Sequence, residues 1–251
     1  MKITPVSQAV GAEVSDIDLR RLDDDDVAEL DAAWTRHGVL FFRRQELTPD
    51  DHVRFAERFA EIDVNKFFTP VASHPQIATV VKEPEQTDNI GGGWHTDHSY
   101  DAAPARGSIL VARELPPFGG DTRFLSVGAA YDALSDGLKA TLAPLRAHHS
   151  NEHVFGAAAL ADRQYQDRLS GSEHVGGTVH PVVIANPGDG RPLLYVNGGF
   201  TTHFEGWTVA ESAPLLTYLY QHMAQPRFSY QFHWEPGSVA MWDNRSTWHW
   251  A

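Results

Sequence analysis

The sequence predicts a mainly β fold with flanking helices, a jelly-roll or related double-sheet barrel. Two observations carry this. Beyond residue 76, short β-prone runs recur between Gly, Pro and Asp turns: "IATVV", "GSILVARE", "DTRFLS", "PVVIA", "PLLYVN", "FSYQFHW" and "SVAMW". In one of them Phe228, Tyr230, Phe232 and Trp234 alternate with Ser229, Gln231 and His233, the period of two expected where one sheet face is buried.

Helical patterns are fewer. The acidic run Asp23–Asp26 precedes Val27, Leu30 and Trp34 at helical spacing, with Gly38 as a stop; acids suit the positive end of a helix dipole. "GVLFF" then reads as a short buried strand. Thr48 and Pro49 open a second helix, with Phe55, Phe59 and Ile62 expected on one face. Val127, Tyr131, Leu134, Leu138 and Leu142 predict a single helix. Thr208 and Glu211 form a T-x-x-E capping box ahead of "SAPLLTYLYQHM". The polar, Gly-rich stretch 167–178, "DRLSGSEHVGGT", reads as a mobile surface loop and a candidate lid.

Composition bounds the function. The 251 residues are 42% hydrophobic and 21% charged, ordinary for one globular domain, and 1–251 is expected to form a single domain. A formal charge of −13 without a basic stripe argues against a nucleic-acid partner. No apolar run is long enough to span a membrane and no secretory h-region opens the chain, so a cytoplasmic location is expected. With no cysteine, any metal must be held by histidine and carboxylate.

The stretch "GGGWHTDHSYD" (91–101) carries the chemistry. Read as a strand, it would project His95 and Asp97 to one face and Thr96 to the other, and His249 in "WDNRSTWHW" is the best third partner. Two histidines and one carboxylate on one face of an ion form the triad of non-haem Fe(II) oxygenases, which leaves three positions open. Alone, H-x-D is a weak signal in a chain with 14 histidines. A zinc hydrolase on the same ligands, or a catalytically silent metal-binding or ligand-binding jelly roll, remains open at this point.

The ordered set "WHTD" (94–97), "PPFGGDT" (116–122), "HPVV" (180–183), "NGGFTT" (197–202) and "WDNRSTWH" (242–249), with the N-terminal "GAEVSDIDL" and "HGVLFF", resembles the taurine dioxygenase (TauD/TfdA) family, which includes the 2,4-dichlorophenoxyacetate dioxygenases. The resemblance implies a double-stranded β-helix (jelly-roll, cupin-like) core. It also implies Fe(II), 2-oxoglutarate and O2 as metal and cosubstrates, a small-molecule substrate hydroxylated with release of succinate and CO2, and a homo-oligomer. By the same resemblance, His95, Asp97 and His249 match the iron ligands and Thr122 the residue that meets the distal carboxylate of 2-oxoglutarate. Tyr100, Phe155 and Phe200 match pocket aromatics. Lys66 and His98 are further candidates for the substrate, a sulfonate, sulfate ester, aryloxy acid or similar anion.

The pattern departs in two places. The family continues past the distal histidine with a strand whose arginine pairs with 2-oxoglutarate, whereas this sequence stops at Ala251; the expectation is that it is part of a longer chain. Arg245 does not match that arginine and reads as a turn residue. Gly91–Gly93 before the ligands leave room near the iron and predict a substrate bulkier than taurine.

Overall fold

The computed structural model describes residues 1–87, 89, 91–161, 169 and 171–251. The chain opens with β1 (Lys2–Pro5) and β2 (Ala12–Ser15), then α1 (Asp24–His37), β3 (Val39–Phe42) and α2 (Pro49–Glu57). A hairpin follows, β4 (Pro70–Val71) and β5 (His74–Ala78), then β6 (Gly107–Val111) and β7 (Thr122–Ser126). Next come α3 (Val127–Asp132), α4 (Asp136–Leu142), β8 (Arg146–Ser150), α5 (Glu152–Phe155) and α6 (Ala157–Leu160). The remainder is β9 (Gly177–Pro181), β10 (Val183–Ala185), β11 (Pro192–Leu194), β12 (Thr201–Phe204), α7 (Val209–Met223), β13 (Ser229–Phe232), β14 (Val239–Asp243) and β15 (Thr247–Trp250).

The largest sheet has the order β1-β2-β3-β14-β6, in which β2 and β3 run parallel with α1 crossing between them. Every residue of β3 and β14 is buried, so both faces of these strands are covered. Leu40, Phe42, Val239 and Met241 pack outward with Leu30 and Trp34 of α1 and Phe55 of α2. The alternate residues, Val39, Phe41, Ala240 and Trp242, pack inward with Phe124 and Phe232 of the facing sheet β13-β7-β15. Phe41 and Phe232 stack with ring centroids 4.2 Å apart and tie the two sheets together. A third sheet, β12-β8-β9, lies against α7 through Phe204 and Leu216.

The helices begin where their caps predict. Asp23, Thr48 and Thr208 each accept from the backbone at N3, and the N3 acid returns the bond in all three. Gly38 closes α1 at a positive φ of 73°. Two boundaries differ from the sequence reading. The helix begun at Pro49 ends at Glu57, because the amides of Arg58 and Phe59 bond to carbonyls only three residues back and tighten the last turn. Phe59 still packs on Trp34, 5.9 Å between centroids, but Ile62 lies beyond the helix. The expected single helix through Val127–Leu142 is two, since the Ser135 hydroxyl accepts from Leu138 N and starts α4 afresh. Strands β8 and β12, "RAHHS" and "TTHF", are additional to the sequence reading. Of the expected loop 167–178, residues 167, 168 and 170 lie outside the described residues, while Ser172–His174 form a 3-10 turn and Gly177 begins β9.

Candidate active site

His249 sits in β15, opposite Phe124 of β7. His95 forms an antiparallel bridge to it outside any regular strand: His95 N donates to His249 O at 3.1 Å and His249 N to His95 O at 2.8 Å. The strand expected through His95–Asp97 is therefore a single bridge followed by a turn, with His98 at φ 60° and Asp101 N bonded to His98 O. The convergence of side chains survives because Thr96 turns the other way. It is buried, and its hydroxyl donates to Asn244 O.

Asp97 Oδ1 lies 3.5 Å from His95 Nε2 and 3.8 Å from His249 Nε2, and one ligand atom from each residue lies within 4.8 Å of the others. Two donors to one ion at bonds of about 2.0–2.2 Å can stand at such separations. The tautomer fits as well: His95 Nδ1 donates to Gly93 O at 2.8 Å, so in the neutral ring Nε2 carries the lone pair that faces Asp97. Burial lowers the His249 pKa to about 3, with the His95 charge adding to the effect, and so keeps that ring neutral as a metal ligand must be. Burial would raise the Asp97 pKa; wherever the facing His249 and His95 rings carry a proton they outweigh it and hold the carboxyl well below its usual range. Asp97 Oδ2 accepts from Ser108 Oγ at 3.0 Å, and Ser108 Oγ lies 3.3 Å from Asn244 Nδ2. The three residues can thus hold a divalent ion.

Among the described residues one other group, Asp63, His98 and Asp101, has ligand atoms as close together. There the His98 Nδ1–H is already given to Asp101 Oδ2 at 2.8 Å, and Asp63 stands at the exposed rim.

His95, Asp97 and His249 line a cavity of about 820 Å³. Tyr100, Phe155, Phe200, His98 and Thr122 line it too. Phe200 meets the Tyr100 ring edge-on at 4.8 Å and His95 at 6.3 Å. Phe67, which the sequence reading did not single out, stacks on Phe155 at 4.2 Å. Lys66 is not brought to the cavity. Asn65 Oδ1 accepts from the amides of Phe67 and Phe68, a turn that buries Phe67 and leaves Lys66 exposed. Arg245 forks onto Asp243, Nε–Oδ1 2.9 Å and Nη2–Oδ2 2.5 Å, and steadies the turn before β15. Ser108, Asn244 and Trp234, whose indole N–H bonds Thr122 Oγ1, were not among the sequence candidates. Asn244 falls inside the quoted "WDNRSTWH", but no spacing rule marks the other two.

Two imidazoles and one carboxylate beneath an aromatic-walled cavity match the ligand pattern of non-haem metal oxygenases. The profile of the taurine catabolism dioxygenase TauD, TfdA family matches residues 2–251, and the chain belongs to that family. An alpha-ketoglutarate-dependent 2,4-dichlorophenoxyacetate dioxygenase of Cupriavidus pinatubonensis is 33% identical over 264 residues, covering 98% of this chain and 90% of the relative. An alpha-ketoglutarate-dependent sulfate ester dioxygenase of Pseudomonas putida is 33% identical over 263 residues, covering 100% and 84%. The crystal structure of a taurine dioxygenase from Burkholderia xenovorans superposes with a TM-score of 0.83 at 35% identity, covering all of this chain and 83% of that one. The protein is an Fe(II)- and 2-oxoglutarate-dependent dioxygenase, and these relatives favour that reading over a silent binding module or a zinc hydrolase. No helix among the described residues is long and apolar enough to cross a membrane.

Proposed function

We propose that His95, Asp97 and His249 hold the ferrous ion, that Thr122 meets the distal carboxylate of 2-oxoglutarate, and that Tyr100, Phe155 and Phe200 hold the apolar body of the substrate. The carrying observation is the approach of the Asp97 carboxylate to both histidine Nε2 atoms at the wall of the cavity. We read the facing sheets as a double-stranded β-helix core. When bound, iron and 2-oxoglutarate supply an oxidant made from O2, with succinate and CO2 released and a hydroxyl inserted into a substrate C–H bond.

The chain's own residues do the rest. Gly93 O and the Ser108 hydroxyl orient His95 and Asp97, so the ligands need little rearrangement to meet the ion. The aromatic wall keeps water from the reacting carbon and sets the substrate's orientation. Burial pushes the Tyr100 hydroxyl pKa upward, so it stays a neutral donor throughout the working range. His98 and the rim carboxylate Asp63 provide polar contacts beside that wall. We infer a substrate with an apolar or aryl body bulkier than taurine, in the class of aryloxy acids and sulfate esters that two of the relatives are named for. A homo-oligomer in the cytoplasm completes the reading, and light scattering on the purified protein tests the assembly.

The test is succinate formation by iron-loaded protein across sulfonates, sulfate esters, aryloxy acids and amino-acid-like compounds. A member of the aryl or sulfate-ester classes should raise succinate well above the substrate-free rate. Failure of 2-oxoglutarate to bind the iron-loaded protein would contradict the reading.

A further inference from the structure

Thr122 is the first residue of β7, directly after Gly119 and Gly120, both at positive φ (76° and 73°). Its side chain is held by the segment that follows the neighbouring strand. Thr122 pairs with Phe232 at the end of β13, and two residues on the Trp234 indole N–H donates to Thr122 Oγ1 at 3.0 Å. The carboxylate of the preceding Asp121 accepts from Gln231 Nε2 at 2.7 Å and lies 2.8 Å from His233 Nδ1. Trp234 is itself held, edge-on to Phe232 at 4.8 Å and 82°, while Phe232 stacks on Phe41.

We propose that Trp234 is a positioning residue for the cosubstrate: by occupying one lone pair of the Thr122 oxygen, it directs the threonine proton into the cavity toward the distal carboxylate of 2-oxoglutarate. A hydroxyl has one donor and two acceptor sites and rotates to suit its partners. With the indole N–H on one side of the oxygen, the proton must lie away from Trp234. Thr122 is buried and lines the cavity, and among the described residues its hydroxyl has no protein acceptor. A carboxylate oxygen brought there receives a donor already oriented, so less rotational freedom is lost on binding. The inference rests on the reading of Thr122 as the carboxylate contact, and its test separates the two.

The measurement is the Kd of 2-oxoglutarate for the Fe(II)-loaded protein, titrated anaerobically by visible absorption, beside that of 2-oxobutyrate, which lacks the distal carboxylate. Trp234→Phe keeps the ring packing and removes the N–H. It should raise the Kd of 2-oxoglutarate about 5- to 10-fold, the loss of one hydrogen bond, and leave 2-oxobutyrate within about two-fold. Thr122→Val should weaken 2-oxoglutarate at least as much, and the double variant no further than Thr122→Val alone. Trp234→His, which restores a ring N–H, should recover part of the loss and serves if the Phe variant folds poorly. The inference is overturned if Trp234→Phe weakens both acids equally or leaves 2-oxoglutarate unchanged while Thr122→Val weakens it. If Thr122→Val itself has no effect, the assignment of Thr122 falls, and the role of Trp234 with it.

Discussion

His95 and His249, distant in the chain, face each other across an antiparallel bridge that exchanges both backbone hydrogen bonds, with imidazole centroids 4.1 Å apart. The backbone thus fixes the spacing of the two imidazoles. The carboxylate joins them from the turn two residues beyond His95, where its second oxygen accepts from the Ser108 hydroxyl.

Because this spacing depends on close packing, it should be sensitive to a methyl group placed nearby. A Cβ at Gly199 would stand 2.7 Å from His95 Cβ, closer than real contacts allow. Gly199→Ala is expected to shift His95 and weaken Fe(II) binding about ten-fold, with the circular dichroism spectrum of the folded chain retained. Competition against a metal chelator measures it; unchanged metal affinity would show that the site yields without cost.

Ser108 is outside every sequence motif and is expected to matter through Asp97. Ser108→Ala should cost about 10- to 100-fold in metal affinity, the usual effect of removing a partner of a ligating group, without changing substrate preference in metal-saturated assays. Equal metal affinity in the variant and the parent would show that Asp97 needs no such support.

The aromatic wall predicts a separation of effects. Phe155→Ala should raise KM for substrates with an apolar body about ten-fold, given the area that ring offers. The Kd of 2-oxoglutarate should stay unchanged. A variant that loses cosubstrate affinity and substrate affinity together would mean that Phe155 supports the fold rather than the substrate.

Much of this was legible in the chain. The helices α1 and α7 announced themselves through capping residues, β3 through its apolar run, and His95, Asp97 and His249 through motif order. What stayed hidden has physical reasons. Strands β8 and β12 carry histidine and threonine rather than alternating apolar residues, so they lack a period-two signal. The break between α3 and α4 turns on one hydroxyl, Ser135, within an unbroken apolar stripe. Its position in the sequence makes Lys66 a substrate candidate, yet the Asn65 turn sends it to solvent; local side-chain bonding of that kind overrides position in the sequence. Ser108, Asn244 and Trp234 make contacts with residues far away in the chain, which no spacing rule reports.

His149 gives a pH prediction independent of the metal. Burial pulls its folded pKa down to about 3, with nearby His180 and His148 adding to the effect. A depressed folded pKa means that neutral His149 contributes its full stability above the unfolded value near 6.5, and that this is lost as pH falls toward 3. At about 1.4 kcal/mol per unit the loss reaches a few kcal/mol. Urea unfolding of metal-free protein between pH 7 and pH 4 should therefore show a steeper decline for the parent than for His149→Gln. Parallel curves would contradict the assignment.

The central claim is that His95, Asp97 and His249 bind one ion together. A crystal structure grown with Mn(II), the ion located by anomalous scattering, tests it most directly. A single peak is expected within about 2.0–2.3 Å of His95 Nε2, His249 Nε2 and an Asp97 carboxylate oxygen. A peak on Asp63, His98 and Asp101 instead, or one that leaves His249 outside bonding distance, would contradict it.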